Sequence, residues 1–253
     1  MDLAHALILF GVGLVAGFIN VMAGGGSMLT VPAMIMMGLP GPVANGTNRI
    51  AILFQNFVAV ITFFRKGLSE FKQSLKLLAC ALPGTVCGAL VGTELSGTWF
   101  NRTLAIIMCV ALVLTWIKGK GQKASATEQD EQPLSRKRTI FGYLLMAGIG
   151  FYGGFIQIGV SLILMPVLNR VFKMDLVRVN MHKVFVICGY SLVALAIFAW
   201  RVDIRWGLGV ALAAGAGTGG FIGASLSMRH GDKLIRWLLQ AVLIVFVLKL
   251  LFF

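Results

Sequence analysis

Apolar residues run almost unbroken along this chain, at roughly 3–22, 28–38, 43–64, 71–93, 99–117, 139–156, 158–169, 179–200, 206–227 and 234–253. The runs are continuous rather than alternating with period two, so they predict helices and exclude the strands of a membrane barrel. Most approach the roughly 20 residues that a helix needs to cross the hydrocarbon layer. The 28–38 run does not: as a helix it is about 16 Å long, too short to cross alone. It follows Gly24-Gly25-Gly26-Ser27, and its counterpart at 158–169 contains Gly159-Val160-Ser161. Glycine costs about 1 kcal/mol relative to alanine at each interior helical position, so both stretches read as helix breaks inside apolar sequence.

Those two breaks correspond to each other. A shift of 134 residues lays Gly25, Ser27 and Pro32 over Gly159, Ser161 and Pro166, and Asn48-Arg49 over His182-Lys183. A shift of 131 lays Gly84, Gly88 and Gly92 over Gly215, Gly219 and Gly223. Glycines spaced this way on one helix face let membrane helices approach closely and offer bearing surfaces. The chain therefore reads as an all-α polytopic membrane protein of two homologous halves, 1–117 and 139–253. Each half starts with a Gly-interrupted helix or re-entrant hairpin followed by three transmembrane helices. The polar stretch 118–138 is a solvated linker between them.

Composition agrees, with 58% hydrophobic residues, 12% charged and a mean hydropathy of +0.90. A soluble domain of this length could not hide so much apolar surface. The segment Leu3 to Met22 lacks the cationic leader of a cleavable signal and reads as structure. Cys80, Cys87, Cys109 and Cys188 are scattered through apolar runs, so they indicate neither a disulfide framework nor a metal site. The net charge of +13 has no soluble basic domain through which to hold nucleic acid. It sets orientation instead, because cationic loops stay on the cytoplasmic side of the bilayer. Lys118, Lys120, Lys123, Arg136, Lys137 and Arg138 place the linker in the cytoplasm, along with the 65–76 loop. The 170–178 and 229–236 loops fall inside and the 201–205 turn outside, the opposite sense to the first half, as in an inverted repeat, with parallel halves the alternative.

Broken helices at membrane depth persist only where protein or a water-filled cavity satisfies the freed backbone, and a half-helix N-terminus favours an anion. Paired breaks in equivalent positions point to a transporter binding site. All nine acidic residues lie in loops or at segment ends, whereas Arg49 and Lys183 sit inside apolar runs. An intramembrane cation without a carboxylate partner is costly and faces a cavity or a ligand. The candidate substrate-binding residues are Gly24, Gly25, Gly26, Ser27, Asn48 and Arg49 from the first half. From the second come Gln157, Gly159, Ser161, His182 and Lys183, with Asn45, Thr47 and Asn180 nearby. No cofactor or catalytic set is indicated: an enzyme built on His182 with Cys188 or a serine lacks every further component. An anion channel or an uptake permease for another small anion is the alternative to a carrier.

The glycine-rich GGGS-x-x-x-x-P element, the Ala44-Asn-Gly-Thr-Asn-Arg49 segment and the counterpart ending Asn180-Met-His-Lys183 resemble the TauE/SafE family of sulfite exporters. The second half departs from the family's usual glycine cluster, reading Gly153-Gly154-Phe-Ile-Gln-Ile-Gly159. The resemblance implies export of a small sulfur-containing anion, sulfite or an organosulfonate, across the bacterial cytoplasmic (inner) membrane by alternating access between the repeats. Its partners are then that anion and the lipid bilayer, with no nucleic acid and room for a homodimer.

Overall fold

The computed structural model describes residues 3–107 and 135–226, apart from Gly24, Lys66, Ser69, Ser96 and Thr98. Most of the 118–138 linker, Cys109 and the last apolar run, 234–253, lie outside the described residues. The elements are α1 (Leu3–Ala23), α2 (Ser27–Met36), α3 (Gly41–Arg65), α4 (Phe71–Glu94) and α5 (99–107). They continue with α6 (Arg136–Phe155), α7 (Val160–Pro166) extended by a π turn over Val167–Val171, α8 (Leu176–Arg201) and α9 (Trp206–Leu226). No strand occurs among the described residues. The last linker residues, Arg136 to Arg138, form the first turn of α6. Segments Leu3–Asn20, Gly41–Arg65, Phe71–Glu94 and Val177–Arg201 are long and apolar enough to cross a membrane.

Burial is arranged for lipid. Asn45, Thr47, Asn48, Arg49, Gln157, His182 and Ser191 are buried, while Leu7, Phe57, Leu144, Leu192 and Trp200 face outward. In water this distribution would forfeit the hydrophobic effect. In a bilayer, apolar surface costs nothing against lipid tails, and polar groups gather where they can satisfy one another.

Two glycine seams bind the halves together. A side chain at Gly84, Gly88 or Gly92 of α4 would collide with the backbone carbonyls of Ala147, Phe151 and Phe155 on α6. Gly215 and Gly219 of α9 meet Phe10 and Leu14 of α1 in the same way. The spaced glycines thus fit backbone against backbone, and the sequence equivalence of α1 with α6 and of α4 with α9 carries over into the packing. Each first helix is fastened to the opposite half rather than to its own.

The contacts also fix helix direction. Gly13 and Gly17 lie against Leu212 and Ala216, while Gly84, Gly88 and Gly92 follow Ala147, Phe151 and Phe155. Ile50 and Phe54 of α3 meet Gly209 and Gly217 of α9. Positions rise together in each pair, so the paired helices are parallel. On α8, His182 meets Ser74 and Gly189 meets Leu78 of α4. Between α3 and α8 the order reverses: Gly46 meets Phe198, whereas Phe63 shares a cavity with Met181 and Phe185. Hence α1, α3 and α9 run one way, and α4, α6 and α8 the other.

Because α1 and α3 run in the same sense, α2 must bring the chain back to the end where α1 begins. Gly26 lies against Ala16 and Asn20 of α1, so the chain doubles back on itself at the glycine break. The first element is therefore a hairpin, α1–α2, and α6–α7 is its counterpart from the opposite end. One end of the molecule joins the turn before α4 to the start of α8 through Glu70 and Arg178, 2.8 Å apart. The other joins the end of α4 to that of α8 through Glu94 and Arg201, 3.5 Å apart.

Candidate functional site

The two hairpin tips meet inside the protein. Gly159 N–H donates to Ser27 Oγ at 3.3 Å, linking the break in one half to the break in the other. Gly26 precedes α2 and no side chain caps that N-terminus. Beside it lies a small pocket lined by Asn20, Gly26, Ser27, Thr30, Asn48 and Gln55, closed by Ala16, Gly17, Ala51, Ile52 and Ala216. Thr30 Oγ1 donates to Asn48 Oδ1 at 2.6 Å, which fixes the Asn48 amide. Asn20 Nδ2 donates to Gln55 Oε1 at 3.0 Å, and Gln55 Nε2 to the Gly17 carbonyl at 3.1 Å. The Asn48 Nδ2 group is buried without a partner. An unsatisfied buried donor costs about 1–3 kcal/mol, so a donor left free in a polar pocket is suited to an incoming acceptor.

Arg49, the next residue, points elsewhere. Its Nη1 donates to the Gly153 carbonyl at 3.1 Å and to Gln157 Oε1 at 3.0 Å, and its Nη2 donates to the Gly154 carbonyl. One turn away, Asn45 Nδ2 donates to the Phe155 carbonyl at 2.8 Å. Together they cover the last carbonyls of α6, which have no intrahelical partners, and set a cation against the negative end of its dipole. The guanidinium also lies 4.4 Å from the centroid of the Phe198 ring. Arg49 thus braces the second hairpin tip from α3.

Gln157 has a positive φ of 61°, uncommon for a residue with a side chain, beside Gly159 at 69°. That conformation costs about 1–2 kcal/mol. Its amide offsets the cost by joining Arg49 to Ser191 Oγ, which accepts from Nε2 at 2.7 Å. The position where the second half departs from a glycine cluster is thus a left-handed site held by hydrogen bonds. Tyr152 adds another hydrogen bond, its hydroxyl donating to the Ile158 carbonyl.

Lys183 is buried, and its Nζ donates to Asn180 Oδ1 at 2.8 Å. His182 is wholly buried between Ser74 and Glu70 at the end of the molecule that holds the 170–178 segment. Ser161 is buried at the start of α7. Of the sequence candidates, Gly26, Ser27 and Asn48 line the pocket, and Gly159 touches it through Ser27. Gly25 accepts from Met28 N–H at 3.0 Å in the same turn. Arg49 and Gln157 form a separate network, His182 another, and Gly24 lies outside the described residues. Asn20, Thr30 and Gln55 also line the pocket and are not among the sequence candidates. The signal for Gln55 was present: positions 45, 48, 52 and 55 share one face of α3, and three of the four are polar.

Among the described residues there is no cluster of side chains able to hold a metal ion. Cys80, Cys87 and Cys188 are free thiols. Facing hairpins inside a lipid-adapted helical shell, with a polar pocket at their meeting, define a multi-pass membrane transport protein. Residues 9–250 match the family model described as sulfite exporter TauE/SafE, and the chain belongs to that family. It is 30% identical over 253 residues to a probable membrane transporter protein, ORF9, of Sinorhizobium sp., covering 99% of this chain and 94% of the relative. A probable membrane transporter protein of Haemophilus influenzae is 30% identical over 230 residues, covering 90% and 88%. The probable membrane transporter protein YfcA of Escherichia coli K12 is 26% identical over 250 residues, covering 97% and 89%. No solved structure matches the chain.

Proposed function

We propose that this transporter carries a small sulfur-containing oxyanion, sulfite or an organosulfonate, out of the cell across the inner membrane. The anion binds in the pocket formed by Asn20, Ser27, Thr30, Asn48 and Gln55. The observation that carries the reading is the Asn48 amide, wholly buried with its Nδ2 donor left without an acceptor, beside the uncapped start of α2 where the two tips meet. An ionised acceptor at a neutral donor gives a hydrogen bond worth about 1.5–3 kcal/mol. Several such contacts replace part of the anion's hydration without trapping it.

Charge supplies the attraction. Arg49 and Lys183 are buried, and among the described residues neither has a carboxylate partner. Two uncompensated cations make the interior positive, which draws an anion to neutral ligands nearby. Arg49 serves the second tip, Lys183 is the equivalent cation of the other half, held by Asn180, and Gly25, Gly159 and Ser161 complete the two half-helix starts. The opposed directions of equivalent helices favour an inverted repeat, as alternating access through a central site requires. The seams make each moving body a hairpin fastened to a helix of the other half, α1–α2 with α9 and α6–α7 with α4. The cationic 65–76 and 170–178 segments gather at one end, which favours a cytoplasmic placement for that end and for the linker.

The test is labelled sulfite flux in proteoliposomes, with sulfate and a small sulfonate as competitors. Saturable flux that falls in Asn48→Ala supports the reading. Flux no greater than in empty vesicles overturns the substrate, and normal flux in Asn48→Ala overturns the pocket.

A further inference from the structure

At the end that gathers the cationic segments lies a buried cluster that the anion pocket does not use. His182 Nδ1 is 2.8 Å from Ser74 Oγ, and its Nε2 is 3.4 Å from Glu70 Oε2. Nε2 has no partner of hydrogen-bond geometry. The other oxygen of Glu70 is 2.8 Å from Arg178 Nε, and Asp175 Oδ2 is 3.7 Å from the same nitrogen. Glu70 is itself 36% exposed, so it links solvent to the wholly buried imidazole. All nine acidic residues lie in loops or at segment ends, and folding sets one of them beside the imidazole by bringing the turn before α4 onto α8. A cavity of about 20 Å³ lies alongside, lined by Glu70, Ser74, Phe64, Phe71, Met181 and Phe185. That is room for about one water molecule.

The cluster spans the joint between the halves, because Glu70 and Ser74 belong to the first and His182 to the second. A neutral imidazole can accept from the Ser74 hydroxyl at Nδ1 while its Nε2–H faces Glu70, so what a proton adds is charge: the imidazolium makes the Nε2–Glu70 approach an ion pair across the joint. We propose that His182 is a proton-binding site of this transporter, at which an imidazolium bonded to Glu70 and Ser74 draws α4 and α8 together and closes this face. Loss of the proton, through Glu70 to water, releases the face. The charges facing His182 are Glu70 from the start of α4, and Arg178 and Asp175 from the start of its own helix. From α3 the neighbouring cavity receives Val60 and the rings of Phe63 and Phe64. Burial of the ring, and then Arg178, oppose the imidazolium, and Glu70 and Asp175 favour it. Histidine is the side chain whose ordinary titration falls between pH 5 and 8, so acidification is the perturbation that closes the face. The inference rests on a carrier whose faces open and close, but not on which anion it carries.

The experiment therefore needs no substrate. Full-length protein with its native cysteines replaced is spin-labelled at Leu68→Cys and Lys173→Cys, both exposed at this end. The distance distribution is recorded in lipid nanodiscs from pH 5.5 to 8.5. The expected result is a shift to shorter separations on acidification, absent in His182→Gln. Glu70→Gln, a change at a partly exposed position, needs lower pH to reach the same distribution. A distribution indifferent to pH, or a His182→Gln variant that responds like the parent, overturns the proposal. Sulfite flux by the same proteins in proteoliposomes separates the two readings. A pH response without sulfite flux supports the proton site and removes only the substrate, and sulfite flux without a pH response removes the proton site.

Discussion

Arg49→Ala separates a brace from a ligand. In the structure the guanidinium donates to Gly153, Gly154 and Gln157 and stacks on Phe198. Hydrogen bonds from a charged donor contribute about 1.5–3 kcal/mol each, and a desolvated cation–π contact about 2, a gross sum of roughly 6–11 kcal/mol. Against this stands the several kcal/mol needed to take a cation out of water. Truncation removes that cost but leaves three buried acceptors, each about 1–3 kcal/mol unfavourable unless water enters the vacated space. A net loss of about 3 kcal/mol is expected, or about 6–12 °C in Tm at 2–4 °C per kcal/mol for a chain of this size. Arg49→Lys recovers only part of it, because one ammonium cannot span three acceptors or stack as a planar group does. Thermal unfolding of the solubilised protein, followed by tryptophan fluorescence, measures the shift. If Arg49→Ala unfolds within 1 °C of the parent yet loses sulfite flux, the brace is wrong, and Arg49 acts on the anion itself.

Asn48→Ala is expected to lower sulfite flux about tenfold at subsaturating concentration, the equivalent of 1.4 kcal/mol for one lost hydrogen bond to a charged group. Asn48→Asp, which sets a carboxylate facing the anion, is expected to lower it further, and flux equal to that of the alanine variant refutes this. Gly88→Leu forces a branched side chain into the Phe151 carbonyl and should destabilise the protein or open the α4–α6 seam; an unchanged Tm contradicts backbone contact there. Gln157→Gly relieves the left-handed backbone but removes the link between Arg49 and Ser191. It should lower Tm despite glycine's tolerance of positive φ, whereas a rise in Tm would mean that strain outweighs the hydrogen bonds.

The sequence by itself determined what depends on local and periodic properties. Apolar run lengths specify helices of membrane length, and Gly25, Gly26 and Gly159 mark where they break. The glycine rows at 84–92 and 215–223 give the seams, because only residues without a side chain permit that approach. The repeat also placed Arg49 and Lys183 in equivalent positions. What those cations touch was decided only in the tertiary structure, because it depends on which carbonyls folding leaves without partners. Arg49 meets the end of α6, 104 positions away at Gly153, a contact no local pattern encodes. The same holds for Ser27 with Gly159, whose hairpins arrive from opposite ends, and for Gln55, which becomes a pocket residue only when α1 turns its Asn20 toward it. Glu70 is the clearest case. In sequence it is a loop carboxylate outside every apolar run, and only the packing of α4 on α8 sets it beside a buried histidine. Helices follow from free energies summed over neighbouring residues, whereas a site follows from distances between residues far apart in the chain.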